Sequence, residues 1–323
     1  MCSSDLTQDD LSYPVSLKPP DISAYRTGNT GVEYVHQFDS GKPGPHVMIS
    51  AVVHGNELCG AIAVEHLLKN EVRPLKGKLT LAFMNVAAFL SFDLENPTFS
   101  RFIDEDFNRL WTKDVLGGNR DSVELRRARE VHPIVDTVDF LLDIHSMQTT
   151  TLPLIVAGPL AKGREFARQF GIPKMVVTDS GHKAGRRMRD YEGFSASESS
   201  KNALLIECGQ HWEVSSSELA IIAAWRFLSM LGVISEETAA PHFRVKPADQ
   251  QKFVEVSGPY TILTNSFRFV EKYVGLEVIQ SAGTIIGYDG EEALKTPYDN
   301  CVLIMPSRRQ LPGDTAVRFG KFL

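Results

Sequence analysis

Four side chains carry the strongest chemical signal: His54 and Glu57 in HGNE, His145 in DIHS and Glu207 in IECGQ. His54 and Glu57 stand three residues apart, just after the apolar run HVMISAVV (46–53). A strand-to-helix turn at that point would aim both at one site. Neutral imidazole and carboxylate are good zinc ligands, and a catalytic zinc takes three protein ligands plus a water. The third ligand must come from elsewhere. His145 is the candidate, because it closes a second apolar run, DFLLDIH. Asp143, two residues earlier on the same strand face, could orient a site residue, or could be an unrelated paired carboxylate. An HxxE pair alone is a weak signal. What distinguishes His54, Glu57 and His145 is that both motifs end apolar strands. His36, His46, His66, His132, His182 and His242 read as ordinary surface or core histidines.

Glu207 also ends a buried strand pattern, NALLIECG. A carboxylate beside a metal-activated water can take its proton and pass it to a leaving amine. The structural alternative is a strand-end Glu paired with a Lys. Arg101 and the run Asp106-Phe107-Asn108-Arg109 fall in a long polar segment. Arginine offers planar, bidentate donors to a carboxylate, and Asn adds an amide donor. One Arg could instead stabilise an oxyanion. Arg126, Arg127 and Arg129 read as a solvated helix face.

The elements that must position these groups are legible as alternating strands and helices. Strands are expected at 46–53, 78–86, 139–145, 152–158, 174–179 and 202–209. Helices are expected after residue 57, over 121–136 and over 216–231, from apolar residues at helical spacing. Residues 87–120 read as an irregular functional loop and residues 1–45 as a loose lead-in with short strands. Buried strands alternating with helices predict an α/β fold with a mixed, mainly parallel sheet flanked by helices. In such sheets ligands gather at the carboxyl ends of strands, where all the candidates fall. Beyond Pro241 short apolar pieces alternate with Gly, Pro, Asn and Asp, which predicts a smaller all-β C-terminal domain. The expected domains are 1–240 and 241–323.

Composition narrows the function classes. The chain has 323 residues, 43% hydrophobic and 23% charged, with a net charge of −6. That is globular, and too acidic for general nucleic-acid binding. No apolar run reaches the ~20 residues a membrane helix needs. The opening MCSSDLTQDD lacks the basic start and apolar stretch of a secretory signal. Cys2, Cys59, Cys208 and Cys301 form no CxxC pair, which fits a reducing, cytoplasmic setting. GFSAS (193–197) is not a nucleophile elbow, and no phosphate-binding glycine motif is present. Cys59 and Cys208, beside the proposed ligand and base, read as small buried side chains. Tyr191, His211 and Trp212 are further candidates for pocket walls.

Together HGNE (54–57), Arg101 with DFNR (106–109), DIHS (143–146) and IECGQ (206–210) resemble the succinylglutamate desuccinylase/aspartoacylase family, whose members are zinc enzymes related to metallocarboxypeptidases. The resemblance covers roughly 46–235. It implies a zinc carboxypeptidase-like catalytic domain and one Zn(2+) per subunit held by His54, Glu57 and His145. It implies Glu207 as general base and acid, and Arg101 as polariser of the scissile carbonyl. Asn108 and Arg109 would hold the substrate's carboxylate. The C-terminal part resembles the family's barrel-sandwich appendage. Two departures stand out. Aspartoacylases carry an Arg about ten residues before the catalytic Glu, where this chain has Ser197; Arg186, Arg187 or Arg189 are the substitutes at hand. The family's usual Leu in DLNR is Phe107.

The implied activity is zinc-dependent hydrolysis of the amide bond of a small N-acyl amino acid, without nucleic-acid or membrane partners and with a homo-oligomer possible. Manganese, cobalt or nickel also suits such ligands. Two rivals remain: a metallocarboxypeptidase acting on peptide C-termini, and a non-catalytic binding protein on the same fold.

Overall fold

The computed structural model describes residues 13–242, 250–308 and 310–323. The polar opening segment, with Cys2, lies outside the described residues. So do residues 243–249, just after the expected domain junction at 240/241.

Fourteen strands are described: β1 (Val35–Asp39), β2 (His46–Ala51), β3 (Lys78–Phe83), β4 (Phe140–Met147), β5 (Leu154–Val156), β6 (Met175–Thr178), β7 (Asn202–Gln210), β8 (Lys252–Thr261), β9 (Phe267–Phe269), β10 (Val278–Ile279), β11 (Ile285–Asp289), β12 (Glu292–Lys295), β13 (Cys301–Ile304) and β14 (Thr315–Phe322). The helices are α1 (Leu58–Lys69), α2 (Val86–Leu90), α3 (Lys113–Leu116), α4 (Val123–Val135), α5 (Ala161–Phe170), α6 (Val214–Met230) and α7 (Glu236–Ala239). The main sheet runs β1-β3-β2-β4-β7-β5-β6-β8-β14-β13-β10, and β12-β11-β9 form a small separate sheet. Strands β3, β2, β4 and β7 are mutually parallel. Strand β5 is antiparallel to β7, and β1 is antiparallel to β3. The sheet is therefore mixed, as its apolar runs suggested.

Strand β2 is buried at all six positions, which a central strand covered on both faces requires. Helices α1, α5 and α6 cover one face through Leu58, Leu67, Phe166, Phe170, Trp225 and Phe227. Helix α4 covers the other with Leu125, Ala128 and Val131, beside Phe107 and Trp111. Helix α5 has no counterpart in the sequence expectation. Its sequence, AKGREFARQF, is rich in charge and offers few apolar positions, yet Phe166, Ala167 and Phe170 are buried.

The C-terminal region is all-β, with its own apolar cluster around Ile262, Phe267, Ile286 and Leu303. It is not detached: β8 pairs in parallel with β6, from Met175↔Lys252 to Thr178↔Glu255. Strands β14, β13 and β10 follow on, so the C-terminal strands extend the catalytic sheet. No helix among the described residues is long and apolar enough to cross a membrane.

The Arg126–Arg129 expectation needs correction. Arg127 donates to the carbonyls of Met84, Phe83 and Glu33, and Arg129 to those of Leu116 and Gly118. These two guanidiniums tie loops to α4; Arg126 sits in an exposed ion pair with Asp121, and Arg127 also pairs with the exposed Glu130 at 3.2 Å.

Candidate metal centre and active site

Beyond Ala51 the chain bends sharply. Val52 has a left-handed backbone, φ 52°, which for a β-branched residue costs about 1–3 kcal/mol. Its burial and the Asn85 N–H donated to its carbonyl at 3.0 Å hold it there. The bend sets His54 and Glu57 beyond the end of β2. Gly55 must be glycine: a Cβ there would stand 2.2 Å from the Ala88 carbonyl carbon and 2.4 Å from the Ser100 oxygen. Its N–H donates to the Arg101 carbonyl at 3.1 Å. The missing side chain therefore lets the arginine loop lie against the metal motif.

His54, Glu57 and His145 converge. Each offers a ligand atom within 4.8 Å of the others, and all three are buried. Glu57 lies between the imidazoles, with Oε1 2.7 Å from His54 Nδ1 and Oε2 2.8 Å from His145 Nδ1. Burial alone would push the Glu57 carboxyl up, but the two histidines hold it well below the usual carboxylate range. Two nitrogens and a carboxylate facing one point is a donor set that fits a divalent ion such as zinc. The far ring nitrogens are engaged: His145 Nε2 lies 2.9 Å from Asp143 Oδ2, and His54 Nε2 lies 2.9 Å from Asp106 Oδ1. The Ser50 hydroxyl donates to Asp143 Oδ1 at 2.6 Å. Asp143 is thus the orienting carboxylate that its position on the strand suggested.

Strand register brings the fourth group. His145 on β4 is paired with Glu207 on β7, so both face the same side of the sheet. Burial pushes the Glu207 carboxyl up to about 8. Its Oε2 is buried and meets no hydrogen-bonding partner among the described residues. A carboxyl poised near neutrality suits a group that both takes and gives a proton.

The irregular segment supplies the rest. Arg101 reaches Asp106 at 3.2 Å and Glu57 at 3.7 Å. Arg109 stands 3.6 Å from Asp106, and burial lowers its pKa to about 10. Asn108 accepts the Met188 N–H at 2.8 Å. All three line a cavity of about 150 Å³ with His54, His145 and Glu207. Six of the seven candidates thus stand around one space, and the seventh, Glu57, lies between the two imidazoles.

Other expectations fail at this level. Ser197 is exposed. Arg187 lines the cavity but is held between Asp179 and Asp190. Arg189 donates to the Ala157 and Ala203 carbonyls. Arg186 donates to the Asp190 carbonyl and the Ser195 hydroxyl. None of the three is free to replace the family's Arg. Tyr191 packs in the core against Trp111, whereas His211 and Trp212 do line a pocket. His182, read as ordinary, lines the cavity. Burial, with Arg109 and Arg318 next, lowers its pKa to about 3.

Two residues at the site gave no local signal. Arg318, from the C-terminal strand β14, enters the cavity. Glu124 on α4 is buried and accepts the N–H groups of Ile103, Asp104 and Glu105 at 2.7, 3.0 and 3.2 Å. It thereby pins the loop between Arg101 and Asp106. Three consecutive amides around one carboxylate are a tertiary arrangement with no sequence signature.

A buried His/Glu/His group at strand carboxyl ends of a mixed α/β sheet defines the class of this protein. Residues 43–230, more than half the chain, match the profile of the succinylglutamate desuccinylase/aspartoacylase catalytic domain, and the chain belongs to that family. The fold agrees. Succinylglutamate desuccinylase from Vibrio cholerae superposes with a TM-score of 0.67 at 16% identity, covering 90% of this chain and 86% of that one. Murine aminoacylase 3 gives 0.59 at 18% identity, covering 87% and 96%. Among curated relatives, the rat N-acyl-aromatic-L-amino acid amidohydrolase (carboxylate-forming) is 29% identical over 121 residues, 35% of this chain. The Xenopus laevis protein of that name is 26% identical over 132 residues. The matched stretch spans only about a third of the rat relative's length, 36%.

Proposed function

We propose that this protein is a metal-dependent deacylase that hydrolyses the amide bond of a small N-acyl amino acid. The observation that carries the reading is the buried His54/Glu57/His145 group with the unpaired Glu207 carboxyl beside it, in one cavity with Arg101, Asn108 and Arg109. Such a chemistry is also what the names of the curated relatives describe. His54, Glu57 and His145 would hold the ion, with zinc favoured by the ligand types. When bound, it supplies a Lewis acid and lowers the pKa of a water.

The chain's own groups do the rest. Glu207 takes the proton from the attacking water and delivers it to the leaving nitrogen, so the amine departs neutral. Arg101 sits within 3.7 Å of Glu57, where it can stabilise negative charge developing on the acyl oxygen. Asn108 and Arg109 anchor the amino-acid carboxylate and thereby fix the scissile bond. Asp143 keeps the His145 imidazole in the tautomer that leaves Nδ1 free for the ion, while His54 Nε2 meets both Asp106 and the Arg101 guanidinium, each at 2.9 Å. The domain division proposed from sequence, 1–240 and 241–323, assigns the chemistry to the first part.

The test combines metal analysis with hydrolysis of acetylated, succinylated and formylated amino acids by the zinc-loaded chain. Expected are one bound ion, loss of turnover on chelation, and at least a hundredfold lower kcat in Glu207→Gln with the ion still bound. Full activity in Glu207→Gln would refute the proton-carrier role. Preferred cleavage of peptides over N-acyl amino acids would favour the carboxypeptidase alternative.

A further inference from the structure

The small cavity is one of two spaces at the metal centre. A larger pocket of about 430 Å³ shares Arg101 with it, since that residue stands in the walls of both. Phe99, Phe102 and Trp212 supply its apolar walls. Phe99 is 80% exposed, a large ring facing solvent. The Trp212 indole is fixed by donation to the Asn56 carbonyl at 3.1 Å. His211 is also in the wall, 1% exposed. Its Nδ1 is engaged with the Ser146 hydroxyl at 2.8 Å. Its Nε2 is buried and meets no partner among the described residues. Apolar walls with one unsatisfied polar atom suit a ligand with an apolar body and a polar end.

We propose that this outer pocket is the acyl subsite and that the acyl group it takes is large and apolar, an arylacyl or medium-chain acyl. The inference rests on the deacylase reading and adds the identity of the acyl half. Charge decides which half goes where. Arg109 and Arg318 stand in the small cavity, so the carboxylate-bearing half belongs there. The outer pocket's other cation, Arg308, is engaged over the Tyr13 ring at 5.0 Å. Arg101 lies between the two spaces, where the scissile carbonyl must sit. The group on the other side of that carbonyl is the acyl group. An acetyl methyl would leave most of 430 Å³ unfilled.

The test measures kcat/KM of the zinc-loaded full chain on N-acetyl-, N-octanoyl- and N-phenylacetyl-L-alanine and on N-acetyl-L-phenylalanine. Expected is a preference of about tenfold or more for the octanoyl or phenylacetyl group over acetyl. Phe102→Ala and, independently, the exposed Phe99→Ala should each reduce that ratio several-fold. Equal rates across acyl groups, or a gain confined to N-acetyl-L-phenylalanine, would overturn the acyl assignment and leave the deacylase reading standing. Turnover of none of the four would count against the deacylase reading. Phenylacetate binding, read by tryptophan fluorescence, then decides the pocket. Saturable binding lost in Phe102→Ala supports it, and no binding overturns it.

Discussion

Replacing Glu124 by Gln tests whether the arginine loop is held by a single carboxylate. Glu124 is fully buried. Its Oε1 accepts from Ile103 N at 2.7 Å and Asn85 Nδ2 at 3.1 Å. Its Oε2 accepts from Asp104 N and Glu105 N at 3.0 and 3.2 Å. Gln keeps one acceptor oxygen and turns the other position into an NH₂ donor facing N–H donors. Two bonds to a charged acceptor are lost, each worth about 1.5–3 kcal/mol. The expected destabilisation is therefore about 3–6 kcal/mol, read from the urea midpoint at constant m-value. The loop that moves carries Arg101, with Asp106, Asn108 and Arg109 just beyond it. A displacement near 1 Å should lower kcat/KM by roughly a hundredfold. His54, Glu57 and His145 lie outside that loop, so metal stoichiometry should hold in the folded variant. Wild-type stability, or a destabilised variant with unchanged kcat/KM while folded, would refute the argument.

Asp143→Asn should weaken metal binding by about 10–100-fold, measured by competition with a chromophoric chelator, because His145 loses its orienting carboxylate. Gly55→Ala drives a methyl into the Ala88 and Ser100 backbone; expect loss of both metal binding and activity, with overpacking costs of about 1–3 kcal/mol or more in thermal unfolding. Asp190 gives a pH prediction. Burial opposes its ionisation, but Arg187 and Arg189 hold its pKa below the usual value. Its stabilising contribution is therefore present above the unfolded carboxyl pKa, near 4, and is lost as pH falls through the lower folded value. Asp190→Asn should be less stable than wild type at neutral pH, and the gap should narrow in acid unfolding curves below about pH 4.

The site was legible because its motifs end strands. The apolar runs before His54, His145 and Glu207 fix three neighbouring parallel strands, and period-two geometry then puts His145 and Glu207 on one face. HGNE carries its glycine for a reason the sequence only hinted at: the Ala88 and Ser100 backbones crowd it. Helix α5 was missed because its buried stripe of Gly163, Phe166, Ala167 and Phe170 is short and set among charged residues, and Phe166 and Phe170 gain their partner only by docking on Phe227 of α6. His182 and Arg127 look like surface residues until distant segments close over them. Arg318 lies some hundred residues past Glu207 on a strand whose own pattern reports only burial.

The sequence by itself determined the candidate ligand residues, the apolar runs that precede them and the family, because these follow from residue type, motif and local periodicity. Only the tertiary structure decided which cations stay free. Arg187 and Arg189 are consumed by buried acids and carbonyls, while Arg318 reaches the cavity because β8 extends the catalytic sheet. It also decided that two unequal spaces meet at Arg101, since cavities belong to the surfaces between elements and to no element alone.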